Sequence, residues 1–320
     1  MPRSPIRSLA RFLKNSLYLR SFKWAKTVQN YPLGISRASG RDLSRGVYIP
    51  EIDTHLTGDP RYDLILLENL TSPHRLYVNK KAMFEFDGDG WRVRFDDLAF
   101  HVTAEQQIWI LCEVFLREDY CFNSDPPPDL VIDIGMNFGA ASIYFAKKYG
   151  CPVHAFELFP PTANHAARTL ALNPKYASQI QINRFGLSDA DEQLTLDYCE
   201  AFSGEAGIFA DKKRADSLPV AVEVRRASDA LRPVLDSSSG SIFVKMDCEG
   251  SEFSILSDLE NSGLLSKING LAMEWHSFAG NPETLEATLI RAGFSVFNRH
   301  EDNGELGLIM ASRVRKGTNS

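Results

Sequence analysis

From Leu130 onward, short unbroken apolar runs alternate with longer stretches in which apolar residues recur at three- and four-residue spacing. The first pattern fits strands buried on both faces, and the second fits amphipathic helices. Leu130–Ile134 is predicted as a strand and Ala140–Lys148 as a helix that stops at Gly150. Val153–Phe156 is a second strand, followed by a helix that opens at Pro160-Pro161 and runs to Leu172. Proline suits the first helical turn because its missing N–H would have had no partner there. Gln181–Phe185, Ile242–Met246 and Leu271–Trp275 read as further strands, with helices over Phe253–Leu259 and Pro282–Ala292. Phe294–Phe297 and Leu306–Met310 flank Asp302-Asn303-Gly304, a strong hairpin signal. Together these elements predict a doubly wound, Rossmann-like α/β sheet of seven strands. The closing hairpin contributes its one antiparallel strand.

Upstream the pattern changes. Between Gly46 and Val102 it is extended rather than helical, with Leu76–Val78 and Met83–Phe86 ahead of the turn Asp87-Gly-Asp-Gly90 and the alternating Trp91–Phe95. The last two runs, joined by a glycine-containing turn, predict a β-hairpin. A helical run, Ala104–Phe115, ends near Glu118–Tyr120, and the Pro126–Pro128 block marks entry to a new domain. Three regions result: a basic segment over 1–48, a hairpin-and-helix extension over 49–125 that forms a lid or substrate region, and the sheet domain over 126–315. Within the last, Leu194–Tyr198 and Val220–Arg226 read as strands bracketing the loop Phe202–Gly207, and no internal repeat is evident.

Composition narrows the setting. Five cysteines, spread along the chain with no CxxC pair, argue against a disulfide framework and against a cysteine zinc site. They point to a reducing, cytoplasmic compartment. No run approaches the roughly 18 apolar residues of a spanning helix. The net charge of −6 conceals an asymmetry, because residues 1–48 carry ten Arg or Lys and a single acid, Asp42. Ile6, Leu9, Ala10, Leu13, Leu17 and Trp24 recur there at helical spacing, which reads as a basic amphipathic helix. Packing on the domain, peripheral attachment to an anionic membrane and an organelle transit peptide are its three competing roles. Beyond that segment the chain is net acidic, so no nucleic-acid partner is expected.

The chemistry lies at strand ends, where doubly wound sheets bind their ligands. The first strand runs into Asp133-Ile-Gly135, and Met136-Asn-Phe-Gly139 leads to a helix. Gly135 permits a tight turn, Gly139 lets the helix begin close to the strand, and Glu157 after the second strand is placed to accept ribose hydroxyl hydrogens. A dinucleotide site wants G-x-G-x-x-G, and Asn137 stands where its middle glycine should be. A nucleoside cofactor without phosphates needs no such anion site, only room for an amino-acid tail and a carboxylate that reaches its ammonium, directly or through water. A glycine turn with no ligand is the plain structural alternative. At the fourth and fifth strand ends stand Asp247, Glu249, Glu252, Glu274 and His276. Asp247 is placed at the junction of cofactor and substrate, with His276 or Glu249 as general base, histidine having a near-neutral intrinsic pKa. Glu252 is read as charging the first turn of the following helix. The acids and the histidine also offer ligands to Mg²⁺ or Mn²⁺; Lys245 can neutralise them instead, and no metal ligand is assigned.

Five motifs in order, over roughly residues 104–311, resemble the FkbM family of methyltransferases. Asp133-Ile-Gly-Met-Asn-Phe-Gly139 looks like that family's D-I-G-A-N-x-G, with Met136 where alanine is usual. His154-Ala-Phe-Glu-Leu158 is similar to V-x-A-F-E-P, with Leu158 replacing proline, and Phe185-Gly-Leu-Ser-Asp189 to the A-L-x-D stretch that flanks the adenine. Lys245-Met-Asp-Cys-Glu-Gly-Ser-Glu252 resembles K-x-D-x-E-G-x-E, and Glu274-Trp-His276 resembles E-x-H. The resemblance implies a class I methyltransferase sheet with S-adenosyl-L-methionine held by Asp133, Gly135, Met136, Asn137, Gly139, Glu157, Leu158, Ser188 and Asp189. It implies O-methylation of a hydroxyl on a sugar, polysaccharide unit or secondary metabolite, with Asp247, Glu249 and His276 as the catalytic group. A small-molecule or glycan acceptor would meet a pocket built from the hairpin region before residue 104 and the loop Ser203–Gly207. An NAD(P)-dependent oxidoreductase and a non-catalytic binding module of the same fold are the rival readings.

Overall fold

The computed structural model describes residues 48–313, apart from 125, 210–213, 215 and 302–303. Nearly all of the expected basic segment, and the Asp302-Asn303 turn, lie outside the described residues. The chain divides into two compact units, the first ending at Cys112 and the second beginning at Glu113. The Pro126–Pro128 block falls inside the second. Among the described residues, no helix is long and apolar enough to cross a membrane.

In the first unit, β1 (Tyr48–Ile49) pairs with β2 (Thr54–His55), and two helices, α1 (Pro60–Leu67) and α2 (Thr71–Lys80), precede the expected hairpin. The hairpin is present: β3 (Met83–Phe86) pairs antiparallel with β4 (Trp91–Phe95), and β5 (Leu98–Val102) adds a third strand before α3 (Glu105–Cys112). Leu76–Val78, read as extended, is helical and belongs to α2. A three-residue apolar run carries no period of its own. Burial of Ser72, Pro73 and Leu76 follows helical spacing instead, while Val78 faces solvent. The helix α1 was likewise hidden in the stretch read as extended; Asp59 caps it by accepting from the Arg61 N–H at 3.0 Å.

The second unit opens with a π-helical turn, Glu113–Arg117, and then builds the sheet. Its strands are β6 (Leu130–Ile134), β7 (Val153–Phe156), β8 (Ile180–Asn183), β12 (Ile242–Met246), β13 (Gly270–His276), β14 (Ser295–His300) and β15 (Leu306–Ser312). They lie in the order β14-β15-β13-β12-β6-β7-β8. All neighbours run parallel except β15, which is antiparallel to both β13 and β14. This is the seven-stranded doubly wound sheet that the alternation predicted. Every residue of β6 and β12 is buried, as expected of central strands covered on both faces.

The covering helices include α4 (Ala140–Tyr149), α5 (Pro160–Ala171), the short α6 (Pro174–Ala177), α7 (Ala227–Asp236), α8 (Glu252–Asn261) and α9 (Pro282–Arg291). Val244, Met246, Leu271 and Met273 of the sheet form one core with Leu231 and Leu235 of α7, Ile255 and Leu259 of α8 and Leu289 of α9. No helix is predicted over α7, yet Ala227, Leu231 and Leu235 keep a strict helical period, with Pro233 inside the helix. Pro233 and Asp229, whose carbonyl loses its helical partner, both face solvent. A smaller sheet orders β10 (Glu192–Tyr198), β11 (Leu218–Arg226) and β9 (Gly186–Ser188), with the last parallel to β11.

Under the central strands the ring of Phe243 stacks on Phe122 with centroids 4.8 Å apart and meets Phe145 edge-on. Phe243→Ala is expected to cost about 3–5 kcal/mol. Urea unfolding checks this through a lowered midpoint at unchanged slope.

Candidate active site

After β6 the chain proceeds to β7 on one side, while β12 lies on the other, so the crevice between β6 and β12 is the switch point of the sheet. Its floor is a backbone-to-backbone contact. Gly135 has φ +78°, and a Cβ on it would fall 1.7 Å from the Asp247 carbonyl oxygen; only glycine fits. The Asp247 N–H donates to the Ile134 carbonyl at 3.0 Å, and the Gly135 and Met136 N–H groups donate to Phe156, each at 3.0 Å. Asn137 holds a left-handed conformation, φ +51°, and its Oδ1 accepts from the Phe138 N–H at 2.7 Å.

Glu157 joins this loop to the end of β7. Its Oε2 accepts from the Asn137 N–H and its Oε1 from the Phe159 N–H, both at 3.0 Å. Burial pushes its carboxyl up to about 7, although both backbone donors favour the charged form. Above this loop lies a cleft that is open to solvent. Gly135, Asn137, Glu157 and Leu158 line one side and Asp247, Cys248 and Glu249 another. Ser203, Gly204, Ala206 and Ile208 also line it.

Beneath the cleft, the Lys245 ammonium donates to the Gly135 carbonyl at 2.6 Å and lies 3.4 Å from Asp133 and 3.6 Å from Asp247. Burial works against its charge, but the two acids outweigh that and hold its pKa above the ordinary value. Asp133 is fully buried and accepts from the Ser142 hydroxyl at 2.5 Å. Burial raises its carboxyl, opposed by Lys245 and Ser142. Its charge acts on the loop from below and does not line the cleft.

Beside Asp247 the acids converge. Glu252 accepts from the Cys248 and Gly250 N–H groups, both at 2.8 Å, and so fixes the loop ahead of α8. His276 stands 3.6 Å from Glu249, 3.6 Å from Glu252 and 3.8 Å from Glu274. Burial alone would discharge the imidazole, yet Glu252, Glu249 and Asp247 together push its pKa up to about 10. The shift favours the charged imidazole, a form that holds carboxylates in place. Burial and the charge of Asp247 hold Glu274 well above the usual carboxylate range, against the pull of His276. Tyr120, just after the π-helical turn, lies within hydrogen-bond distance of Asp247 Oδ2 and Glu274 Oε2, at 3.1 and 3.2 Å.

Of the residues singled out in sequence, Gly135, Asn137, Glu157, Leu158, Asp247 and Glu249 meet at the cleft, with His276 behind Glu249. Met136 is buried beneath the loop and Gly139 starts α4. Ser188 turns toward Ser254, with hydroxyl oxygens 3.0 Å apart, and Asp189 is exposed; Gly186 and Leu187 line the cleft in their place. Tyr120 was not foreseen. Asp247, Glu249 and His276 each place one donor atom within 4.8 Å of the others, close enough to share a cation. Lys245 and His276 already supply positive charge to these acids.

Residues 133–296, just over half of the chain, match the family model described as the methyltransferase FkbM domain. The chain belongs to the FkbM family of S-adenosylmethionine-dependent methyltransferases. That membership sets aside the nicotinamide reading. Methyltransferase 1 of Beauveria bassiana is 27% identical over 223 residues, covering 63% of this chain and 87% of that protein. Methyltransferase sdnD of Sordaria araneosa is 25% identical over 231 residues, covering 64% and 88%. An FkbM methyltransferase structure from Methylobacillus flagellatus aligns with a TM-score of 0.41 at 16% identity, covering 90% of this chain and 60% of that one.

In this FkbM member the Gly135 contact sets a sharp test. Gly135→Ala forces apart the ends of β6 and β12, and a loss of more than about 4 kcal/mol is expected. Thermal unfolding should show a large drop, and titration calorimetry should show no S-adenosylmethionine binding.

Proposed function

We propose that the protein is an O-methyltransferase that acts on a hydroxyl of a small-molecule or glycan acceptor. The observation that carries this reading is the convergence of Asp247 and Glu249 on one end of the cofactor cleft, with Glu274 joined to Asp247 through Tyr120 and His276 beside Glu249 and Glu274. A hydroxyl attacks well only if it sheds its proton as it does so, and a placed carboxylate serves that need. Asp247 is the group to receive the proton. It lines the cleft, and its side chain is more open than that of Glu249, 27% against 12%. Glu249, held by His276, orients the acceptor. The negative lining disfavours polyanionic acceptors such as nucleic acids.

The residues at the cleft fit S-adenosylmethionine. Gly135 leaves no room for a side chain where the strands meet, and Glu157 offers a buried carboxylate at the end of β7. Gly135, Asn137, Glu157 and Leu158 would hold the cofactor, supported from beneath by Asp133, Met136 and Gly139, with Gly186 and Leu187 lining the cleft where Ser188 and Asp189 were expected. When bound, the cofactor supplies an electrophilic methyl group on its sulfonium. The protein contributes alignment of the acceptor, worth up to roughly 7–11 kcal/mol, and a proton acceptor. The scheme routes no step through a divalent metal; Lys245 and His276 offset part of the acids' charge.

Two outcomes test it. Asp247→Asn is expected to lower kcat by about 10²–10⁴-fold in chelator-treated assays while S-adenosylmethionine still binds; wild-type turnover on a hydroxyl acceptor would refute the role. Mass spectrometry of the product places the methyl group. Cofactor affinity should also follow the state of Glu157. Its carboxyl titrates at about 7 in the free protein, and only the carboxylate accepts from both ribose hydroxyls. Going from about pH 8 to about pH 6, the Kd should therefore rise, by up to about tenfold per unit below the pKa. A Kd that calorimetry finds constant over that range would remove Glu157 from the ribose site.

A further inference from the structure

The hydroxyl of Tyr120 lies between two acids, 3.1 Å from Asp247 Oδ2 and 3.2 Å from Glu274 Oε2. A phenol carries one hydrogen and gives it to one oxygen at a time. Were both acids ionised, the second contact would set lone pair against lone pair inside a buried site, where such a clash is costly. Three oxygens in this arrangement need a second hydrogen, and it belongs on one of the acids.

The groups facing the pair decide which acid carries it. Lys245, on β12, lies 3.6 Å from Asp247 and 5.2 Å from the centre of the Tyr120 ring. His276, on β13, reaches Glu274 only at 3.8 Å, being nearer to Glu249 and Glu252. Glu113, from the π-helical turn, adds negative charge against both Glu274 and Asp247. Burial and Asp247 raise the Glu274 carboxyl well above its usual range, and burial, joined by Asp247 and Glu274, keeps the proton on Tyr120.

We propose that Tyr120 is a positioning residue that donates its hydroxyl hydrogen to Asp247 and accepts the carboxyl hydrogen of Glu274, so that Asp247 is the ionised acid of the pair and Glu274 the neutral one. The chain of two hydrogen bonds fixes Asp247 Oδ2 and leaves Oδ1 for the acceptor. Its service to catalysis rests on the reading of Asp247 as proton acceptor, whereas the hydrogen-bond chain itself does not.

Infrared difference spectroscopy on the protein without cofactor or acceptor tests the chain directly. At about pH 7, wild type minus Glu274→Gln should show the carbonyl band of a neutral carboxyl group, shifted by deuteration. Glutamine mimics the protonated acid and should keep the fold. Tyr120→Phe retains the ring and its contact with Lys245 but removes the hydroxyl. It should displace that band, lower kcat by roughly tenfold, as for one lost charge-assisted hydrogen bond, and move the pH–rate profile, with acceptor KM changing less than kcat. No neutral-carboxyl band in wild type, or a Tyr120→Phe protein with unaltered band and pH profile, overturns the proposal. Because the spectra need no acceptor, they stand apart from the O-methylation reading, which fails only if no hydroxyl compound is methylated.

Discussion

One ammonium group lies at the mechanical and electrical centre of the sheet. Lys245 sits on β12 with its head beneath the glycine loop of β6, bonded to the Gly135 carbonyl and flanked by Asp133 and Asp247. Each of these groups would be expensive to bury alone. Together they tie the two strands that border the cleft, one from each side of the switch point. Removing one partner of such a buried pair typically costs about 3–5 kcal/mol, because the other charge is left uncompensated. The fold therefore depends on the residues that stand closest to its chemistry.

The same economy holds one layer out. Glu252 spends both oxygens on the N–H groups of Cys248 and Gly250, and its charge then faces His276. That pairing turns a residue whose ordinary pKa suits proton transfer into a fixed cation. The loop that carries Glu249, itself at φ +54°, is held from below by these contacts. A site built in this way is preorganised, its strained backbone supported by the two hydrogen bonds that Glu252 accepts.

How far this was legible in the chain depended on what each signal required. The strands β6, β7 and β12 have the bounds predicted from their apolar runs, each interrupted by a single polar residue, Asp133, His154 or Lys245. The glycine loop and Glu157 were legible because a turn and a strand end fix them locally. Helices α2 and α7 were not, one hidden by a short apolar run and the other by Pro233. Tyr120 was out of reach, since it meets Asp247 across 127 residues of chain and no local pattern marks it. The protonation of His276 was equally hidden, because the acids that impose it come from separate segments.

The strand order has a consequence for biosynthesis. The outer neighbour of β13 is β15, not β14, so the antiparallel strand Leu306–Ser312 is inserted between two strands made before it. A nascent chain thus exposes the hydrogen-bonding edge of β13, with Glu274 and His276 near its end, until the last turn of the topology has emerged. The pairing of β12 with β13, and with it the meeting of the two acidic strand ends, needs no such wait. A chain interrupted before Leu306 would instead present the outer edge of β13 unpaired, an invitation to aggregation.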